Sequence, residues 1–319
     1  MASTARNALS VVLLGALTAC SSDRTETAGT GGTGGTSLTL KQPVDRGNGK
    51  LALEFGSTYF EVTPEHGARI TSLRQAGVEL LFLAGAANYE DALGSTFWPS
   101  PQTWGWPPPA EIDLTGYIAS VDGGGVITAQ GATDPLTNLK VAKRFSANLA
   151  HEAIEIEYSM TNTGAVAAEW APWEITRVPA TGLAFWPTAG APFGDLPLFN
   201  QTVQGHTWAD PKQTQGEGKL FADGGGGYLA YVLGDRLLVK QFNDQPASAA
   251  APSEAEIELY VNPDHSYVEV ENQGAYKSIA PGETVSWKIT WYARKLPAGV
   301  TASLGNPDLL AFALKTLEQ

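Results

Sequence analysis

Residues 153–161 read A-I-E-I-E-Y-S-M-T. Successive side chains of an extended chain point to opposite faces. Ile154, Ile156, Tyr158 and Met160 therefore share one face, and Glu155, Glu157, Ser159 and Thr161 the other. A strand dry on one face and polar on the other belongs to an antiparallel sheet packed against a core on one side only. Glu155 and Glu157 are then a solvated face. Near the C-terminus Val285, Trp287, Ile289 and Trp291 alternate with Ser286, Lys288 and Thr290 in the same way.

Working outward, short runs of this kind recur at residues 50–55, 58–63, 68–75, 78–83, 116–121, 126–131 and 138–147. Others lie at 170–178, 183–186, 219–222, 228–233, 237–242, 255–261 and 267–273. Gly, Pro, Asn and Asp separate them, as turns between strands require. Residues 190–218 read as a polar loop. One helix is expected at the C-terminus: Asn306 can cap it, Pro307 suits its first position, and Asp308 complements its dipole. Leu310, Ala313, Leu314 and Leu317 would form its apolar stripe, packed on the rim of a sheet. No repeat of fixed period and no second linker interrupts residues 38–319, which predicts one all-β domain.

Residues 94–113, G-S-T-F-W-P-S-P-Q-T-W-G-W-P-P-P-A-E-I-D, carry Trp98, Trp104 and Trp106 among five prolines. Proline fixes φ and removes a backbone donor, so this stretch reads as a stiff extended loop rather than a helix interior or a central strand. Its indoles either form a ligand platform, since flat rings suit the C–H faces of sugars, or cap the core.

The N-terminus reads as a targeting segment. Arg6, the apolar run 8–16 and Leu17-Thr18-Ala19-Cys20 have the layout of a secretory signal, too short to span a bilayer. Small residues leading to a cysteine resemble a bacterial lipobox, cleaved before Cys20 and lipidated on it. Cys20 is the only cysteine, so it has no disulfide partner. Residues 1–19 are thus read as the signal peptide and 20–37 as lipidated Cys plus a flexible Gly/Thr linker, reaching roughly 20–25 Å. Ser21 is not the aspartate expected of an inner-membrane lipoprotein, so the expected address is the cell envelope, at the outer membrane.

The formal charge of −13 becomes −14 once residues 1–19, with one arginine and no acid, are removed. So acidic a chain makes nucleic acid an unsuitable partner and argues against electrostatic adhesion to anionic lipid. Membrane contact is expected through the lipid only, with the domain a monomer.

No P-loop, GxGxxG followed by a helix, HExxH or GxSxG is present, so no cofactor is expected. His66, His151, His206 and His265 are scattered without ligand spacing, and no metal is expected. Two constellations remain. In Y-V-E-V-E-N-Q, residues 267–273, Val268 and Val270 face the core while Tyr267, Glu269, Glu271 and Gln273 share the other face. Carboxylates two residues apart on a strand lie about 6–7 Å apart. In a cleft they raise one another's pKa and can prepare a general base; on an open face they are merely solvated. The second constellation is G-H-T-W-A-D, with His206, Trp208 and Asp210, followed by Lys219. These side chains could grip hydroxyls, or the loop could be held by its own hydrogen bonds. Glu174 and Arg177 add charge nearby, or bond each other.

His66-Gly67-Ala68-Arg69-Ile70-Thr71-Ser72-Leu73 followed by Gly77-Val78-Glu79-Leu80-Leu81 resembles the opening strands of the galactose mutarotase-like (aldose 1-epimerase) superfamily. Glu271-Asn272-Gln273 with Pro281-Gly282-Glu283 resembles that superfamily's Glu-x-Gln and Pro-Gly stretch. G-S-T-F-W-P-S-P-Q, P-W-E-I-T-R-V, H-T-W-A-D and V-E-N-Q-G-A-Y resemble an uncharacterised bacterial family of mutarotase-like lipoproteins and secreted proteins. The resemblance implies an antiparallel β-supersandwich with a sugar cleft, and Glu271 as the base that takes the anomeric proton. It also calls for a histidine acid on a mid-chain strand. The corresponding stretch, residues 173–177, has none, and His206 is the candidate substitute. The expected function is carbohydrate binding in that cleft, with Trp98, Trp104, Trp106, Glu174, Arg177, Trp208, Asp210, Lys219, Glu269 and Gln273 as contacts, and with or without aldose 1-epimerase-type activity. The competing class is a non-enzymatic structural or assembly lipoprotein.

Overall fold

The computed structural model describes residues 37–85, 90–195, 200–214 and 216–318. The signal peptide, Cys20 and nearly all of the linker lie outside the described residues. From Leu38 onward the chain forms one compact unit. Two antiparallel sheets face each other across it. Among the described residues the first has eleven strands and the second ten; Arg69–Gln75, Ser95–Ser100, Ala168–Pro179, Tyr267–Gln273, Ile257–Val261 and Gly218–Ala222 lie side by side in the middle of the first. The second is centred on Arg236–Phe242, Thr284–Lys295, Ala153–Asn162 and Leu139–Asn148. This is the antiparallel supersandwich expected, with one C-terminal helix.

Alternation builds the core. Ile154, Ile156, Tyr158 and Met160 are all buried, and with Trp291, Ile289 and Leu238 they meet Phe60, Leu73, Phe97, Val178, Val268 and Val270 of the first sheet. Phe97 stacks on Tyr158 with ring centroids 4.6 Å apart, and Phe60 meets Trp291 edge-on at 6.2 Å. Each such side chain contributes about 1.5–3 kcal/mol by leaving water. On the outer face Glu157 stands opposite Arg144 and Lys288 in the ladder, as a solvated charged row should.

Three expectations need correcting. The segment at 94–113 is not a loop throughout, because Ser95–Ser100 is a fully buried strand of the first sheet. Its proline is tolerated by register. Pro99 stands opposite Pro172, and Pro172 O accepts from Gly274 N–H on the other side. The facing prolines thus form a pair that exchanges no ladder bond, so neither missing N–H is needed between these two strands. The polar stretch 190–218 holds an edge hairpin, Asn200–Val203 with His206–Ala209. Gln204 and Gly205 at its turn have φ of 55° and 71°, as a two-residue hairpin loop demands. The helix Pro307–Leu317, capped by Asn306 as expected, packs on the outer face of the second sheet rather than on a rim. Leu309, Leu310, Ala313 and Thr316 are buried there, while Leu314 turns to solvent.

Candidate functional site

On the outer face of the first sheet, away from the inter-sheet core, lies a cleft of about 680 Å³. Its size falls within the usual range for small-molecule sites, about 300–1,000 Å³. Register explains its floor. Trp98 pairs with Trp173 in one row, and Arg177 with Glu269, Glu269 with Tyr260 and Tyr260 with Lys219 in a second, so two rows of outward side chains together span five strands. Tyr267, Gln102, Trp106, Asp195 and Glu217 complete the wall.

The floor is electrostatically crowded. Arg177 Nε lies 2.8 Å from Glu269 Oε1, and its guanidinium sits 5.5 Å from the Trp98 ring and 5.9 Å from that of Tyr267. Lys219 Nζ lies 2.5 Å from Glu258 and 3.0 Å from Glu271, and 4.5 Å from the Trp173 ring. Glu271 Oε2 also accepts from the Trp173 indole at 2.6 Å, while Oε1 has no hydrogen-bond partner among the described residues. Burial pushes Glu258, Glu269 and Glu271 each up to about 7, against the pull of Lys219 and Arg177. For Lys219 burial alone would lower the pKa, but Glu271 and Glu258 outweigh it and hold the ammonium above its usual range.

Beneath the floor a second network fixes the indole platform. Asp113 Oδ1 accepts from Trp98 Nε1 at 2.9 Å and from Thr96 Oγ1 at 2.6 Å, and meets Arg69 Nη2 at 2.9 Å with both partners fully buried. Gly67 makes the close approach possible, since a Cβ there would stand 2.1 Å from Asp113 O. The His66–Leu73 stretch is thus what supports Trp98.

The structure sorts the candidate residues. Trp98, Trp106, Arg177, Lys219 and Glu269 line the cleft. Trp104 stands behind Trp98, edge-on at 5.7 Å, its indole donating to Pro99 O. Glu271 lies beneath the floor, fully buried under Trp173 and Lys219, and Gln273 lines a neighbouring pocket. The remaining four lie elsewhere. Glu174 points into the core, where it binds Lys240 at 2.9 Å and accepts from Tyr158 and Trp291. It therefore cannot meet Arg177, which projects from the opposite face of the same strand. His206, Trp208 and Asp210 belong to the second sheet and its edge. His206 Nε2 lies 2.6 Å from Tyr228 OH, Trp208 is stacked on Phe185 inside the cluster under the helix, and Asp210 caps the short 3₁₀ turn Pro211–Gln213. That loop is held by its own hydrogen bonds, and His206 does not replace the missing acid. Among the described residues no histidine lines the cleft, and no group of three or more His, Cys, Asp or Glu is arranged to hold a metal ion.

Glu258 and Tyr260 were overlooked although their signal was present. In I-E-L-Y-V, Ile257, Leu259 and Val261 alternate with them, which sets both on the cleft face. Arg69 and Asp113 gave no such signal.

Residues 100–294 match the family described as Domain of unknown function (DUF4380). The chain belongs to this family. No curated protein matches the DUF4380 chain in sequence. In structure it is similar to a TPR-domain containing protein from Parabacteroides distasonis, with a TM-score of 0.57 and 14% identity over 80% of this chain. It spans about half of that protein, 48%. A galactose mutarotase-like protein from Lactobacillus casei gives a TM-score of 0.54 at 11% identity, over 77% of this chain and all of the other. A galactose mutarotase related enzyme from Lactobacillus acidophilus gives 0.53 at 10%, over 80% of this chain and all of the other. The DUF4380 chain thus has the galactose mutarotase-like fold.

Proposed function

We propose that the cleft on the outer face of the first sheet binds a carbohydrate, and that the protein does so at the cell envelope from a lipid anchor. The observation that carries the first part is the composition of one concave surface. Trp106 is 56% exposed, stands edge-on to Trp98, and shares the wall with Glu269, Arg177, Lys219, Glu217 and Asp195. An exposed ring beside fixed donors and acceptors offers both halves of sugar recognition, apolar C–H packing and hydroxyl bonding. The fold is consistent with this reading, because the two Lactobacillus proteins are named for mutarotase.

Binding is favoured over turnover. A base for anomeric proton abstraction has to reach the sugar hydroxyl, yet Glu271 is fully buried with one oxygen held by Trp173 and Lys219. Lys219, kept protonated by two carboxylates, is a poor proton donor near neutrality. Aldose 1-epimerase-type chemistry would therefore require Trp173 and Lys219 to move aside.

A glycan array probed with the fragment of residues 37–319 tests the reading. Trp106→Ala should weaken binding of any array hit by roughly 30-fold, since a stacked indole at a recognition centre is worth about 2 kcal/mol. The wild-type fragment ignoring every glycan would leave the structural or assembly lipoprotein. The anchor has its own test. Cys20→Ser should move the protein from the membrane to the soluble fraction with the fold unchanged. Retention of a processed Cys20→Ser chain in the membrane would count against the lipobox.

A further inference from the structure

A smaller pocket of about 130 Å³ adjoins the cleft, under the exposed ring of Phe193. Three connections tie the two cavities together. Trp173 lines the cleft and Gln273 the pocket, and they are direct partners across adjacent strands. Such partners stand about 4.5–5.5 Å apart. Gln102 lines the cleft, Glu254 lines the pocket, and Gln102 N–H lies 3.5 Å from Glu254 Oε1. The segment from Phe193 to Asp195 runs past both, with Phe193 on the pocket and Asp195 on the cleft.

The pocket has the chemistry of the cleft in miniature. Phe193 is 54% exposed and lies almost parallel on Phe221, with centroids 5.3 Å apart, so its outer face is presented flat to solvent. Ala247, Ala249, Ala250 and Ala255 keep the opposite wall small. The polar atoms left over are acceptors. Gln245 N–H and Gly224 N–H are already given to Glu256, and Gln273 Nε2 is given to Glu258 Oε1 at 2.7 Å. That last bond sets the amide with Nε2 toward Glu258, whose Oε1 also accepts from Ala255 N–H at 3.0 Å and whose Oε2 lies against the Lys219 ammonium, so both oxygens already face donors. Gln273 is 1% exposed, and its Oε1 is without a partner among the described residues. A buried acceptor left unmatched is costly unless something donates to it.

We infer that the cleft and this pocket form consecutive subsites for a saccharide of at least two units, the second unit resting on Phe193 and giving a hydroxyl or amide hydrogen to Gln273 Oε1. This rests on the carbohydrate reading above and deepens it from a sugar to an oligosaccharide. A ring on Phe193 and a donor at Gln273 are both requirements that a single sugar held in the cleft leaves unmet.

The test is affinity against chain length. Full-length protein in detergent is titrated with gluco-, galacto-, manno- and N-acetylglucosamine oligosaccharides of one to four units. In the series that binds, the step from one unit to two or three should gain about tenfold or more in affinity. Phe193→Ala, on an exposed ring, and Ala250→Leu, which fills the pocket, should each remove most of that gain with the melting temperature unchanged. A monosaccharide bound as tightly as its oligomers would overturn the second subsite while leaving the carbohydrate reading intact. So would a length gain untouched by both variants. No binding in any series at any length would remove the carbohydrate reading and this inference together.

Discussion

Arg69→Met should destabilise the domain by about 3 kcal/mol and loosen the cleft with it. Arg69 and Asp113 are both fully buried and 2.9 Å apart, so the substitution strands a carboxylate in the interior. Removing one partner of a buried pair typically costs about 3–5 kcal/mol, most of it the price of the uncompensated charge. The lower end applies here because Lys143 is close by and its charge is favoured by Asp113. Arg69 also bridges backbone, donating to the carbonyls of Asp91, Leu93 and Asp113. Asp113→Asn should cost less, since the amide oxygen can still accept from Trp98 and Thr96. The double variant should be less damaging than the sum of the two, because no unpaired charge remains. Denaturant unfolding of the three variants measures this. Additive effects would mean that the pair does not act as a unit. Ligand affinity should fall in Arg69→Met as well, because Asp113 is what holds the Trp98 indole in place.

This network shows where the sequence stops being readable. Sheet and face were legible wherever a strand has one wet side, as in 153–161 and 284–291, because water enforces the two-residue period. The first sheet's central strands lack that contrast. Tyr267–Gln273 is buried at every position, so alternation separates its faces but cannot tell which charged side is covered. Glu174 is hard to place from sequence for a related reason. Its strand is buried on both faces from Ala171 to Val178, and only the ladder shows that it points at Lys240 while Arg177 points at Glu269. Ser95–Ser100 reads as forbidden to a central strand as long as its proline is taken alone, and only the ladder shows the second proline opposite it. Arg69 and Asp113 lie 44 positions apart in the chain, and nothing local predicts that they meet. His206, Trp208 and Asp210 mislead in the opposite way. They cluster in sequence, but their chemistry is taken up by a hairpin, a ring stack and a cap.

Lowering the pH from 8 to 5 should stabilise the protein, and Glu271→Gln should abolish much of that dependence. Glu269 on the cleft floor and Glu258 and Glu271 beneath it share two cations, Lys219 and Arg177, so full ionisation leaves one negative charge in surplus. Burial lifts each carboxyl from 4.5 to about 7. Between those values the folded state binds more protons than the unfolded chain, so stability is fully present below about 4.5 and is lost as pH rises through about 7. At about 1.4 kcal/mol per pH unit, one carboxyl that holds its proton across that window is worth roughly 3 kcal/mol. The acidic chain as a whole also relaxes on acidification, and the variant separates the two effects. With a neutral amide in place of the Glu271 carboxyl, the cluster holds two carboxylates against two cations, and the amide oxygen can still accept from Trp173 and Lys219. The two proteins should therefore converge in stability at pH 5 and diverge at pH 8, with Glu271→Gln the more stable. A constant difference across the range would refute the surplus-charge account and put the protonation elsewhere. The same variant decides the chemistry. Polarimetry with hexoses should show no acceleration of anomerisation over the spontaneous rate by either protein if the cleft only binds, whereas a working base at Glu271 would make the substitution cost roughly 10²–10⁴-fold in rate.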